Sequence, residues 1–203
     1  MHVQRTFFTW IIFVVFSILL TGCAGNTRPS SFYMLRSLAE PEKRAPEPTG
    51  QGDLSLLLGP ITLPVYLDRK QVVTLAGKHE LVVDEFTRWA EPLQDNFYRV
   101  LVEDLSLLLN TPRVYAYDRR GSPPADFQII MDVTRFESVA QGDAHLTVFW
   151  TIIQRESKKP IAKKSVFRAA APSQDVVGVI EAQNETLTAL SREIAGLIRS
   201  LHQ

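Results

Sequence analysis

Asp126-Phe-Gln-Ile-Ile-Met-Asp-Val-Thr-Arg-Phe136, Ala144-His-Leu-Thr-Val-Phe-Trp-Thr-Ile-Ile-Gln154 and Ile161-Ala-Lys-Lys-Ser-Val-Phe-Arg-Ala-Ala170 follow one another with short breaks. Phe127, Ile129, Met131 and Val133 alternate with more mixed residues, the period-two pattern of a strand with one buried face. Gln141-Gly-Asp143 and Ser157–Pro160 are turn material. The stretch reads as a meander of three antiparallel strands, and the rest of the chain is arranged around it.

On either side of the meander the period changes. Upstream, Leu93, Phe97, Val100, Leu101, Leu105 and Leu108 recur at three- and four-residue spacing, as on one helix face. Pro92 suits the first helical turn, where a missing N–H costs nothing, and Asn110-Thr-Pro112 ends the helix. Downstream, Leu187, Leu190, Ile194, Leu197, Ile198 and Leu201 form one stripe of a helix from about Ser173 to Leu201, capped by Ser173 or Asp175. Shorter strands are expected at Ser31–Leu35, Leu54–Leu58 and Val114–Tyr117. Gln71–Leu75 and Glu80–Val83 flank Ala76-Gly-Lys78 as a hairpin. Gly59-Pro60 and Pro64 punctuate the segment between, and residues 37–53 read as a surface loop. Strands, helix, strands, helix, without βαβ regularity, predict an α+β single domain: a mainly antiparallel or mixed β-sheet packed against two main α-helices. Its expected core is Leu93, Phe97, Leu101, Leu105, Phe127, Ile129, Met131, Leu146, Val148, Trp150, Ile194 and Leu197.

Composition narrows the function. Among 203 residues, 22 Lys+Arg balance 22 Asp+Glu, and 45% are hydrophobic. A globular chain of zero net charge is not patterned as a nucleic-acid binder. A single cysteine and four histidines leave neither a disulfide framework nor a thiolate zinc cage, so no metal or cofactor is expected. Gly-x-Ser-x-Gly, His-Glu-x-x-His and phosphate loops are absent. His79 and His145 carry no ligand spacing, and no enzyme is expected.

The N-terminus carries the clearest signal. His2 and Arg5 precede an apolar run from Phe7 to Leu20, shorter than the roughly 20 residues a spanning helix needs. Leu20-Thr21-Gly22-Cys23 then matches a bacterial lipobox, and the chain's only cysteine stands where that motif places its acylated thiol. The expected organisation is a signal peptide at 1–22, a lipidated tether at 23–30 and one domain at 31–203. One acyl chain holds a protein marginally, whereas two or three, a palmitate-type modification, anchor it durably. Residues 24–30 reach about 25 Å when extended, so a docked Ser31–Leu35 keeps the body near the bilayer.

Further residues carry a family pattern in order: Ser31-Phe-Tyr-Met-Leu35 close behind the lipobox, Gly59-Pro60, Leu63-Pro-Val-Tyr-Leu-Asp-Arg69, Gln71-Val-Val-Thr74, Arg88-Trp-Ala-Glu-Pro-Leu93, Asp126-Phe-Gln-Ile129 and Trp150. Together they resemble the PqiC (YmbA) family of ABC-type transport auxiliary lipoproteins over nearly the whole mature chain. One departure is Asp126-Phe127 where the family commonly has Asp-Tyr. The resemblance implies an outer-membrane lipoprotein, on the periplasmic face, of an intermembrane lipid transport system linked to envelope integrity. Its implied partners are a periplasm-spanning MCE-domain protein and an inner-membrane permease component, and homo-oligomers are compatible with it. A rival reading is a lipid-binding carrier that holds an acyl chain in an apolar cavity.

Two sets of residues are candidates for contact. Pro64, Tyr66, Leu67, Asp68 and Arg69, with Trp89 and Glu91, read either as a surface for a partner subunit or lipid, or as a pinned loop and a helix start whose Trp fills the core. Arg155, Lys158, Lys159, Lys163, Lys164 and Arg168 stand against the single acid Glu156. They read either as a basic patch for anionic headgroups or an acidic partner, or as lysines that keep an edge strand from pairing.

Overall fold

The computed structural model describes residues 28–38, 54–139, 142–157 and 159–202, together with Trp10. The lipobox with Cys23, most of the tether, residues 39–53 of the expected loop and Lys158 lie outside the described residues. The elements are β1 (Ser31–Tyr33), β2 (Leu56–Thr62), β3 (Gln71–Ala76), β4 (Glu80–Trp89), α1 (Leu93–Leu109), β5 (Val114–Ala116), β6 (Phe127–Val139), β7 (Ala144–Gln154), β8 (Pro160–Ala169) and α2 (Val176–Leu201). A one-turn 3-10 helix, Val65–Leu67, joins β2 to β3.

The meander is present: β6, β7 and β8 pair antiparallel, with Phe127 opposite Gln154 and Ile153 opposite Pro160. Its inner face alternates as the sequence indicates, burying Ala144, Leu146, Val148, Trp150 and Ile152 of β7. In β6 the alternation slips. Val133 and Phe136 are both buried because a bulge between Val133 and Arg135 inserts one residue and restores the following side chains to the inner face.

The sheet is mixed. Beside β6, its first half runs parallel to β2 and its far end runs parallel to β3. Beyond them β5 lies parallel to β2, β4 antiparallel to β3, and β1 parallel to β4. The two edges that matter below are β1 on one side and β8 on the other. Counting β1-β4-β3-β6-β7-β8, five steps of about 4.8 Å separate them by about 24 Å. Gly59-Pro60 does not interrupt β2: the peptide is cis and the strand continues through it to Thr62.

Both helices cover the inner face. All the expected core residues are buried except Leu197, which packs half-buried at the margin. The Phe97 ring of α1 meets the Phe136 ring of β6 edge-on at 5.1 Å, directly after the bulge. Pro92 stands one place before the first helical residue rather than within the turn, and α1 ends on Asn110 in the left-handed conformation (φ 52°). Asp175 is the cap of α2, its carboxylate accepting from the Gly178 amide at 2.9 Å. Gly178 has no room for a side chain, since a Cβ there would stand 2.3 Å from the Ser173 carbonyl oxygen. Phe97→Ala should therefore cost about 3–5 kcal/mol in urea denaturation; a loss below about 1 kcal/mol would mean that this ring contact does not hold α1 to the sheet.

Candidate functional site

The segment that arrives from the tether is held by side chains. Among the described residues β1 pairs only with β4, Phe32 lying opposite Arg88, and the backbone amides of Leu35, Arg36 and Leu38 after it donate to side chains rather than to a strand. Leu35 N–H donates to Asn96 Oδ1 at 2.6 Å, Arg36 N–H to Asn184 Oδ1 at 3.0 Å and Leu38 N–H to Asp104 Oδ1 at 2.7 Å. Asn96 returns a bond from Nδ2 to the Leu35 carbonyl, and the Ser191 hydroxyl donates to Asp104 Oδ2 at 2.8 Å. Asn96 and Asp104 are buried on α1, and Asn184 comes from α2. Burial pushes the Asp104 carboxyl above the ordinary carboxylate range, against the hydrogen bonds that favour its charged form.

Next to this mooring lies an apolar cleft of about 720 Å³. One wall is the β2–β3 connection. Pro64 has polyproline geometry (φ −57°, ψ 136°), and its carbonyl accepts the Leu67 amide at 2.9 Å. That single turn points Val65 outward, 87% exposed, and buries Leu67. The other wall is the β4–α1 junction. There the Trp89 amide donates to the Lys70 carbonyl and the Ala90 amide to the Tyr33 carbonyl, both at 2.7 Å. Gln94 at the start of α1 donates to the Ile61 carbonyl at 3.0 Å and ties the walls together. Leu63, Leu67, Trp89 and Leu93 supply the apolar interior, and Phe32 and Val65 stand at the mouth.

The structure thus brings together residues that are far apart in sequence. Pro64, Leu67, Asp68, Arg69, Trp89 and Glu91 all line the cleft. Trp89 is buried, as a core Trp would be, yet its position still borders the opening. Glu91 is engaged by Arg99 at 2.8 Å, and Arg99 also reaches Glu103 at 3.2 Å. Tyr66 is the exception: its hydroxyl turns away and donates to Glu137 Oε2, whose other oxygen accepts from Arg135 at 2.7 Å. Burial and that carboxylate push the Tyr66 phenol well above its ordinary value.

The basic run does not form one face. Alternation along β8 sends Lys163 toward the helices, where it meets Glu193 at 2.7 Å and lies over the Trp150 ring. Lys164 lies on the opposite, uncovered face over the Phe149 ring at 5.2 Å. Arg168 shares the uncovered face, opposite His145, whose imidazole pKa is lowered by burial and then by Arg135 and Arg168. Arg155 and Lys159 flank the β7–β8 turn. Phe32 and Val65 lie within the family-pattern stretches Ser31–Leu35 and Leu63–Arg69 but are not among the candidate contact residues, and Asn96, Asp104 and Asn184 carry no signal in the sequence.

Thr62 also lines the cleft, its hydroxyl donating to Asp132 Oδ1 at 2.5 Å, and the described lining includes no cysteine or histidine. Among the described residues no group of His, Cys, Asp or Glu could hold a metal ion. Nor is any described helix long and apolar enough to cross a membrane.

Comparison with known proteins agrees with this arrangement. The family model described as "ABC-type transport auxiliary lipoprotein component" matches residues 33–195. The fold is shared with protein XCC0632 from Xanthomonas campestris, assigned to family model DUF330, at a TM-score of 0.62 and 18% identity, over 83% of this chain and 94% of that one. A crystal structure titled only as an uncharacterized protein superposes at a TM-score of 0.66 with 18% identity, over 84% of this chain and 99% of its own. No curated protein matches the sequence.

The mooring has a pH signature. Folded Asp104 binds its proton more tightly than the unfolded residue. Its stabilising contribution is therefore full below the ordinary carboxylate pKa and is lost as pH rises through the raised value. Urea denaturation at stepped pH should show the native protein losing stability relative to Asp104→Asn over that rise. Asp104→Ala, which orphans the Leu38 amide, should cost about 1–3 kcal/mol. A difference between native and Asp104→Asn that is independent of pH would contradict the assignment.

Proposed function

The chain belongs to the ABC-type transport auxiliary lipoprotein family, and we propose that it is the non-enzymatic outer-membrane subunit of a PqiABC-like intermembrane lipid transport system. In this reading Cys23 of the lipobox carries the acyl anchor at the periplasmic face. The body docks an MCE-domain protein that reaches across the periplasm from an inner-membrane permease component. Homo-oligomers fit the same role. The observation that carries the reading is the family match over residues 33–195, directly downstream of the lipobox.

The fold supports a division of the two candidate contact regions. The cleft, with Pro64, Asp68, Arg69 and Glu91, lies beside β1, where the tether arrives. The described part of the basic run lies at the β8 edge, about 24 Å across the sheet. A body held at a bilayer by its β1 end turns β8 toward the periplasm. Arg155, Lys159, Lys164 and Arg168 then face an acidic surface of the spanning partner rather than headgroups. Tyr66 has no part in this contact. A carrier role is the second reading, and the apolar cleft favours it, since its size is that of a small-molecule site.

Mild-detergent solubilisation should co-purify an MCE-domain protein with the lipidated chain. Exposed charges act over about 8–10 Å in physiological salt, so raised salt should weaken that recovery. Lys164→Glu with Arg168→Glu should weaken it at low salt without altering the fold. Consistent loss of the partner from intact, anchored protein would overturn the docking role. Stoichiometric lipid in native mass spectrometry of the same material would favour the carrier.

A further inference from the structure

The cleft mouth combines three features. First, it exposes two large apolar side chains from separate segments, Phe32 at 63% and Val65 at 87%, above an interior in which Leu67 and Trp89 are 3% and 5% exposed. Both line the same opening, so they are exposed at one site rather than scattered singly over the surface. Second, Arg69 and Lys70 line the same opening and are exposed, with no ion-pair partner among the described residues. Of the acids there, Glu91 is neutralised by Arg99, which leaves Asp68 against two cations. Third, the chain between Cys23 and Phe32 spans about 30 Å at most when fully extended. The hydrogen bonds to Leu35, Arg36 and Leu38 fix the segment after Phe32 to the body.

We propose that this mouth is seated on the bilayer that holds the chain's own anchor: Phe32 and Val65 enter the headgroup layer, and Arg69 and Lys70 meet anionic lipid headgroups. An aromatic ring and an aliphatic side chain flanked by basic residues are the usual composition of an interfacial contact. Seated in this way, the cleft opens onto the membrane surface, and its apolar interior is continuous with the acyl layer. Lipid rather than protein is then the occupant met by Pro64, Asp68 and Arg69. The inference rests on the reading that Cys23 is the anchor.

The test uses the lipidated full chain, purified from membranes and reconstituted in phosphatidylglycerol–phosphatidylcholine vesicles with brominated acyl chains. Of the three tryptophans, Trp10 leaves with the expected signal peptide at 1–22, Trp150 is packed in the core and Trp89 lines the cleft, so the processed chain in a Trp150→Phe background reports on the cleft alone. Trp89 emission should be largely lost relative to unbrominated vesicles. Phe32→Ser with Val65→Ser should restore it, as should Arg69→Glu with Lys70→Glu, and pure phosphatidylcholine should give less loss. These four side chains are exposed, and melting by circular dichroism checks that the variants fold. Flotation of the same vesicles reports the anchor separately. Protein that floats with undiminished Trp89 emission overturns the proposal and leaves the anchor intact. Protein that does not float overturns the anchor reading and the proposal with it. Emission altered only when an MCE-domain partner is added assigns the cleft to protein and also overturns the proposal.

Discussion

Three backbone amides that donate to side chains rather than to a strand govern how this molecule is held. Leu35, Arg36 and Leu38 leave β1 and run over the helices, where Asn96, Asn184 and Asp104 accept their hydrogens. The buried Leu35 amide and the half-buried Leu38 amide would cost a desolvation penalty if left unpaired, so these side chains make the difference between a loose leash and a fixed attachment. The consequence reaches past local stability. A tether that is short and fastened to the body at a defined place limits both the distance and the orientation of the domain at a membrane.

The cleft gains its meaning from that attachment. Its walls come from the β2–β3 connection and the β4–α1 junction, and both are set by backbone bonds around Pro64, Lys70 and Tyr33. The rim is charged and apolar, and the interior is apolar. Such a site is suited to binding, in keeping with an auxiliary component of a transport system. The β8 edge at the other side of the sheet carries exposed cations at a distance that exceeds the screening length. The charges of the two surfaces are therefore screened from one another.

Much of this was readable in the sequence because the signals are local. The alternation in β6 and β7, the stripes of α1 and α2, and the stop at Asn110 follow from periodicity and capping. Side-chain period tells which face is buried but not which strand lies alongside, so the parallel pairing of β6 with both β2 and β3 was not legible. The bulge at Val133–Arg135 was hidden for the same reason, although Phe136 breaks the alternation. The expected contact residues converge on one cleft except Tyr66, whose direction depends on a carboxylate 71 positions away. Lys163 and Lys164 are adjacent, and strand geometry had to send them to opposite faces, which a count of charges conceals. The mooring residues were illegible because Asn96, Asp104 and Asn184 look in sequence like ordinary polar helix positions.

Under the proposal the anchored body holds one orientation, with β1 and the cleft toward the bilayer and β8 away from it. Amide relaxation of the lipidated protein in nanodiscs doped with a gadolinium-chelating lipid measures this directly. The account predicts strong broadening for residues 31–34, 63–70 and 89–94 and little for residues 160–169. Uniform broadening across the domain, or broadening strongest along β8, would contradict it.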